Sequence, residues 1–202
     1  MRLQVPIAAA LAAIAAAVDP LSSSAAAADV TWSADPGHSL AEFSVIHLGV
    51  THVRGSILIS QATIVTSGEN QTPTAINATL DASSIDTRNT DRDNDLRSAN
   101  WLDVAQYKTI EFKSTNIVPG AGDTFTAAGD LTIHGVTKPV TLQGHVDGTT
   151  VDGRGHHRVS YSATTTIKRQ DFGLNWAQQT PGGTFVVGDN VDISLTIEAV
   201  AR

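Results

Sequence analysis

The chain contains no cysteine, and this absence excludes disulfide bonds and lipid attachment at an N-terminal cysteine. Aromatic residues are scarce at 5%, charged residues make up only 16%, and the basic residues form no stripe. A net charge of −7 at pH 7 argues against binding to nucleic acid or to anionic membrane surfaces. We therefore expect a small molecule, and no nucleic acid, as the partner of this protein.

Motifs of common catalytic sites are also missing. The sequence has no GxSxG nucleophile elbow, no HExxH zinc motif and no glycine-rich loop that ends in Lys-Ser or Lys-Thr. Seven histidines are present, but none has metal-site spacing with a nearby carboxylate, so structural or surface roles are predicted for them. We predict no metal, no cofactor and no enzymatic activity.

The first 28 residues have the composition of a secretory signal peptide. Arg2 gives a short positive start, residues 5–18 are almost wholly apolar, and residues 26–28 are alanines that form a small-residue cleavage site. The apolar run is shorter than the roughly 20 residues of a transmembrane helix. We expect a secreted or periplasmic protein in which residues 29–202 form one domain without a stable membrane anchor.

Beyond this segment, short runs rich in Thr and Val alternate with turns that contain Pro, Gly or Asp. Helical periodicity is almost absent, so the pattern predicts an all-β protein. The predicted strands are residues 30–34, 39–47, 53–66, 74–80, 109–118, 123–133, 138–146, 157–168 and 191–200.

Alternation in these strands predicts which face is buried. In the last strand, Val191, Ile193, Leu195 and Ile197 alternate with polar residues, so one face is apolar and the other meets water. A sheet of this size buries its apolar face by packing on a second sheet or by closing into a barrel, and closure also removes exposed edges. A closed barrel of about eight strands holds side chains or one small ligand.

A charged segment interrupts this pattern between residues 84 and 115. Acidic residues in the first turn predict a helix over residues 91–101, in which Arg97 follows Asp93 at ion-pair spacing. Trp101, Leu102, Ile110 and Phe112 supply apolar bulk after the charges. We interpret the segment as one wall of a ligand site, although a solvated surface explains its charges equally well. A second short helical turn is predicted near Asp171.

Five blocks of sequence resemble the YceI-like family of lipid or polyisoprenoid-binding proteins, in the family's order and with its approximate spacings. The resemblance covers nearly all of the chain after residue 30. The blocks are DPGHSLAEFSVIHLGVTHVRG from Asp35, SSIDTRNTDRDNDLRSANWLD from Ser83, YKTIEFKST from Tyr107, GDLTIHGVTKPVTL from Gly129, and RQDFGLNW with GDNVDISLTIEA near the C-terminus.

The resemblance implies an antiparallel, lipocalin-like β-barrel of about eight strands with one short helical insertion. It also implies that an isoprenoid or other long-chain lipid lies inside the barrel. The family usually has a His where this chain has Asp95, and a pair of Phe where it has Trp101 and Leu102. The head-group contact and the pocket width are therefore expected to differ from the family's usual pattern.

The candidate ligand-binding residues come from these blocks and from the apolar faces of the strands. Arg97 and Arg169 are included because arginine binds phosphate bidentately, and both lie next to apolar residues. Pairing with neighbouring aspartates is the alternative for each arginine. The predicted set is Phe43, Val45, His47, Ile57, Leu96, Arg97, Trp101, Phe112, Leu131, Ile133, Arg169, Phe172 and Trp176.

Three functions are compatible with the sequence. The first is an exported protein that holds a long-chain amphiphile, such as an isoprenoid quinone, a polyprenyl phosphate or a fatty-chain lipid. The alternative is an exported enzyme or redox accessory that acts on a bound quinone-like lipid, with His47 or His52 moving protons. The third is an interaction domain with a filled core. A homodimer is compatible with all three.

Overall fold

The computed structural model describes residues 28–67 and 71–202, so nearly all of the predicted signal peptide lies outside the described residues. The fold is all-β and antiparallel, as predicted. Its strands are β1 Asp29–Ala34, β2 Leu40–His47, β3 Thr51–Ser67, β4 Pro73–Asp81, β5 Thr109–Pro119, β6 Thr124–Ile133, β7 Val136–Val151, β8 His157–Lys168 and β9 Val187–Ala201. The helices are α1 Thr90–Arg97 and two short 3₁₀ helices, Ala82–Ser84 and Arg169–Phe172. None of the helices in the described part of the chain has the length and apolar character needed to cross a membrane.

The strands close into a barrel with eight strand positions. Strands β2 to β9 pair in sequence order, and β9 then pairs with β2. β1 and β2 share one position, because both lie between β3 and β9: β2 pairs with the first half of β3 and β1 with its second half. The predicted barrel is thus confirmed, and closure pairs the strand edges that an open sheet would expose.

β7 extends beyond its predicted end at residue 146. In the structure Asp147 and Gly148 lie at a β-bulge, where the register with β8 shifts between Val146 and Gly148, and the strand continues to Val151. Bulges bend strands, and this bend helps a long strand to follow the curvature of the barrel.

Helix α1 is shorter than the predicted span of residues 91–101. It ends at Arg97 because Ser98 has extended backbone angles and its Oγ donates a hydrogen bond to the Asp95 carbonyl (2.6 Å). Trp101 therefore lies in the turn that follows the helix. The second predicted helical turn, near Asp171, is confirmed as the 3₁₀ helix Arg169–Phe172.

The connections between strands sort into two ends of the barrel. The end that we call the mouth carries α1, the β2–β3 turn and residues 169–186. The end that we call the floor is filled by the buried rings of Trp32, Phe125 and Tyr161. Phe125 and Tyr161 meet edge to face with their centroids 6.2 Å apart, and the Tyr161 hydroxyl donates to the Gln71 carbonyl (2.9 Å).

On the outside of the floor end, Arg158 lies among three carboxylates. Its guanidinium donates to Asp152 (3.0 Å), Asp35 (3.3 Å) and Glu198, and these bonds raise the pKa of Arg158. Asp35, His38 and Glu198 have ligand atoms close enough for a metal ion, but the guanidinium already supplies positive charge there. The cluster therefore ties the β1–β2 corner to β8 and β9.

Glycines make room for the phenylalanine rings of the barrel wall. A Cβ atom at Gly55 would lie 2.5 Å from the ring of Phe43, and one at Gly144 would lie 2.3 Å from the ring of Phe125. Gly129 stands in the same relation to Phe112. Each ring occupies the space that a side chain on the neighbouring strand would otherwise take, so the rings lie along the wall and leave part of the lumen open.

Replacing Gly144 with Ala is expected to lower the free energy of unfolding by about 1–3 kcal/mol, because Phe125 must move in a packed floor. Gly148→Ala is the matched control, since it lies on the same strand and a Cβ there meets nothing within 4 Å. Urea unfolding of both variants measures the difference. Equal stabilities would contradict the packing of Phe125 against Gly144.

Candidate functional site: an apolar barrel cavity

The barrel encloses a cavity of about 410 Å³. Ligand pockets typically measure about 300–1,000 Å³, and an engineered apolar cavity of about 150 Å³ already holds benzene. The cavity extends from His47 and Trp176 at the mouth to Phe125 and Tyr161 at the floor. Because this volume is free of side chains, the interior is not a filled core, and the wall around it is almost entirely apolar.

The inward-facing residues of β9 illustrate how the strands form this wall. Val191, Ile193, Leu195 and Ile197 all line the cavity, as the alternation predicts. They are only half-buried although they point inward, because they remain exposed to the cavity. The exposed Asp192 and the other residues between them form the outer face of the strand.

The connection between β4 and β5, residues 82–108, forms the wall at the mouth. Four of its apolar side chains line the cavity, namely Ile85, Leu96, Trp101 and Leu102. Most of its charged side chains hold the connection in place. Arg97 donates to the backbone carbonyls of Ser83 (2.7 Å) and Ile85, so its guanidinium is directed at the chain itself and does not line the cavity.

Asp93 anchors the start of α1. Its buried carboxylate accepts hydrogen bonds from the backbone N–H (2.8 Å) and the hydroxyl (2.5 Å) of Thr87, and Arg92 donates to the same Thr87 hydroxyl (2.7 Å). Burial opposes ionisation of Asp93, but these hydrogen bonds and the charges of Arg97 and Arg92 outweigh it and lower its pKa below the usual 3.8. The helix is thereby fixed to the loop that precedes it.

Four side chains meet at the mouth, and we call Asp95, Trp101, Arg169 and Trp176 the mouth cluster. All four line the cavity. The Trp101 indole N–H donates to Asp95 (3.0 Å), its ring lies 5.4 Å from the Trp176 ring, and the Arg169 guanidinium lies 5.4 Å from its centroid. A Phe at position 101 could not donate this bond, so the contact between residues 95 and 101 depends on the indole of Trp101.

Arg169 is the buried cation of this cluster, with only 3% of its surface exposed. Its guanidinium donates to the carbonyls of Gly188 (2.9 Å), Val187 (3.2 Å) and Leu174, and it forms no ion pair with a carboxylate of the described residues. Burial lowers the pKa of Arg169, and the charge of Asp189 opposes this shift. Arginine stays protonated at neutral pH, so a positive charge stands at the cavity wall.

All predicted ligand-binding residues except Arg97 and Phe172 line the cavity. Phe172, the last residue of the 3₁₀ helix Arg169–Phe172, is buried in the core. His47 lies at the mouth end of the cavity, whereas His52 is exposed and does not line it.

The sequence prediction missed other lining residues, among them Ile85, Arg92 and Val186. Ile85 and Arg92 lie in the charged segment. For Ile85 the one available signal was its apolar side chain, which stands among charged residues before the helix. Val186 lies in a connection without periodicity, where no pattern pointed to it.

The fold and the cavity define a class of protein: closed antiparallel barrels with an apolar lumen and a polar, aromatic mouth. The YceI-like domain family matches residues 32–199, and the chain belongs to this family. Protein YceI of Escherichia coli is 34% identical to it over 179 residues, which are 89% of this chain and 90% of that protein.

Two solved structures share the fold. BcnA of Burkholderia cenocepacia matches with a TM-score of 0.69 at 20% identity, over 82% of this chain and 98% of that one. A polyisoprenoid binding domain from Saccharophagus degradans, implicated in plant cell wall breakdown, matches with a TM-score of 0.61 at 15% identity, over 85% of this chain and 98% of that one. At these identities the likeness concerns the fold.

Asp93→Asn is expected to lower the free energy of unfolding by about 1–3 kcal/mol at neutral pH, because charge-assisted hydrogen bonds to Thr87 are lost. Because folding lowers the pKa of Asp93, its stabilising effect is present above 3.8 and is lost as the pH falls through the folded-state pKa. Urea unfolding at pH 7 and at acid pH measures the gap in the free energy of unfolding between wild type and variant. A gap that does not shrink in acid would contradict this role of the Asp93 charge.

Proposed function

We propose that this protein binds one long-chain amphiphile, with the chain inside the barrel and the head at the mouth. The observation that carries the proposal is the combination of an apolar cavity of about 410 Å³ with a polar cluster at one end only. A wholly apolar guest would not need the mouth cluster, and a polar guest would leave its hydrogen bonds unmet in the lumen. An amphiphile satisfies both parts.

Burial of the chain supplies most of the affinity. Each buried methylene contributes about 0.8 kcal/mol, and association costs on the order of 10 kcal/mol. A long isoprenoid or fatty chain offsets this cost without an ion pair to its head. The residues that contact the head group therefore contribute more to the choice of ligand than to the binding free energy.

Arg169 favours a head with negative charge or with a strong acceptor such as a quinone carbonyl. Its guanidinium has further N–H groups beyond the three that donate to backbone carbonyls, and it stacks on Trp101 at the cavity wall. Arg92 also lines the cavity near the mouth. A polyprenyl phosphate, a fatty acid and an isoprenoid quinone all fit this description.

The comparisons support the same class of ligand. The Saccharophagus degradans domain, which shares the fold, is described as polyisoprenoid binding. We extend that class to this chain because its own cavity is apolar along its length. The proposed role is carriage or storage of the lipid outside the cytoplasm, after removal of residues 1–28, and catalysis is not part of the proposal.

Replacing Leu131 with Asp is expected to weaken binding of geranylgeranyl phosphate on the order of 100-fold, because the carboxylate enters the apolar wall of the cavity. Leu58→Asp is the matched control, since Leu58 is 53% exposed on β3 and does not line the cavity. Quenching of tryptophan fluorescence during titration reports binding, and circular dichroism shows that both variants are folded.

A folded Leu131→Asp protein that binds geranylgeranyl phosphate as wild type does would contradict an interior site for the chain. Equal losses in Leu131→Asp and Leu58→Asp would place the chain on the outside of the barrel and would also contradict the proposal.

A further inference from the structure

Exposed apolar side chains gather beside the mouth. We call Ile46, Leu48, Val50 and Phe185 the apolar rim; they are 44%, 38%, 83% and 47% exposed. Ile46 lies near the end of β2, and the β2–β3 turn carries Leu48 and Val50. The Leu48 N–H donates to the Val186 carbonyl (2.9 Å), next to Phe185. The remaining exposed large apolar residues of the described chain, Leu58, Val118 and Val151, lie apart from this patch on β3, β5 and β7.

The turn holds an apolar residue in a conformation that such residues avoid. Leu48 and Gly49 have φ angles of 54° and 73°, and the Val50 N–H donates to the His47 carbonyl (3.1 Å), as in a type I′ turn. Asn, Asp or Gly is favoured at the position of Leu48, because a left-handed backbone is unfavourable for a leucine. A Leu at the tip contributes nothing to the core, so its exposed side chain is available for contact with another surface.

The rim is continuous with the cavity. Ile46 and Val186 line the cavity. Leu48, two residues after Ile46, and Phe185, directly before Val186, are exposed to solvent. An apolar chain that leaves the lumen on this side of the mouth passes directly onto apolar side chains. The continuity indicates a partner that is itself a source of apolar chains.

Charge distribution favours a lipid surface as this partner. The protein carries 20 acidic residues, yet residues 43–67 and 172–188 contain none, and the second of these stretches has no basic residue either. The acidic side chains at the mouth lie outside these two stretches, on the β4–β5 connection and at Asp171 and Asp189. The two stretches that carry the rim therefore bring no carboxylate of their own to phosphate head groups.

The geometry points to a membrane-docking surface: the apolar rim inserts into the interface of a phospholipid bilayer and places the mouth of the cavity against the membrane. Docking in this orientation gives an amphiphile a path between bilayer and lumen that avoids water. The transfer of an amphiphile by this route rests on the proposed function, but docking to the membrane does not require that the cavity bind lipid.

The absence of cysteine permits a direct test. Val50→Cys places a single nitrobenzoxadiazole label in the rim, and Val151→Cys places one at the floor end, where Val151 is 55% exposed. The full chain is mixed with vesicles of phosphatidylcholine and phosphatidylethanolamine that contain no prenyl lipid. We expect a blue shift and quenching by spin-labelled phospholipid at position 50 and no change at position 151.

No spectral change at position 50, or an equal change at position 151, would overturn the docking surface. A blue shift at position 50 that arises without vesicles at higher protein concentration would assign the rim to a second copy of the chain and would equally overturn it. Because both labelled proteins contain the same N-terminal segment, any contribution of that segment to vesicle binding is common to them.

Leu48→Ser in the labelled Val50→Cys protein is expected to lower partition into the vesicles about tenfold, whereas Leu58→Ser leaves it unchanged. An equal effect of the two substitutions would contradict a role of the rim. Neither residue lines the cavity, so both variants keep binding of geranylgeranyl phosphate at the wild-type level. In contrast, Leu131→Asp loses that binding and keeps the blue shift at position 50, which separates failure of one proposal from failure of the other.

Discussion

Closure of eight antiparallel strand positions around an incompletely filled lumen is the constraint on which the rest of the structure depends. Closure pairs the strand edges, but it also fixes an interior volume that the inward side chains must occupy. Phe43, Phe112 and Phe125 take the space above glycines on neighbouring strands and so lie along the wall. The floor is filled by aromatic rings, and the volume that remains is an apolar cavity of about 410 Å³. An apolar space of this size has little attraction for water and favours an apolar guest.

The charged connection between β4 and β5 gives this lumen its one polar end. Its charges act mainly on its own backbone: Asp93 and Arg92 bind Thr87, and Arg97 binds carbonyls of the preceding loop. This internal bonding lets the connection turn its apolar residues toward the cavity. Trp101, held by its hydrogen bond to Asp95, contacts the guanidinium of Arg169. This contact joins the β4–β5 connection to the β8–β9 connection and completes the mouth.

Alternation and turn residues predicted the strands well, because each strand has one face toward the lumen and one toward water. The predicted bounds were wrong at Gly148, where β7 continues through a bulge, and at Ser98, whose extended backbone ends the helix early. Arg97 and Arg169 illustrate how far the residues of the site could be predicted from the sequence. Both are arginines beside apolar residues, yet only Arg169 lines the cavity, and the difference depends on how each connection folds over the mouth.

Native mass spectrometry of the protein purified without detergent, followed by organic extraction, is the most direct test of amphiphile binding in the cavity. We expect a bound species with a long apolar chain and a small polar head, in a ratio of one to one with the protein. An unliganded mass that persists after incubation with prenyl lipids and fatty acids would contradict it, and the cavity would then have no amphiphile to hold.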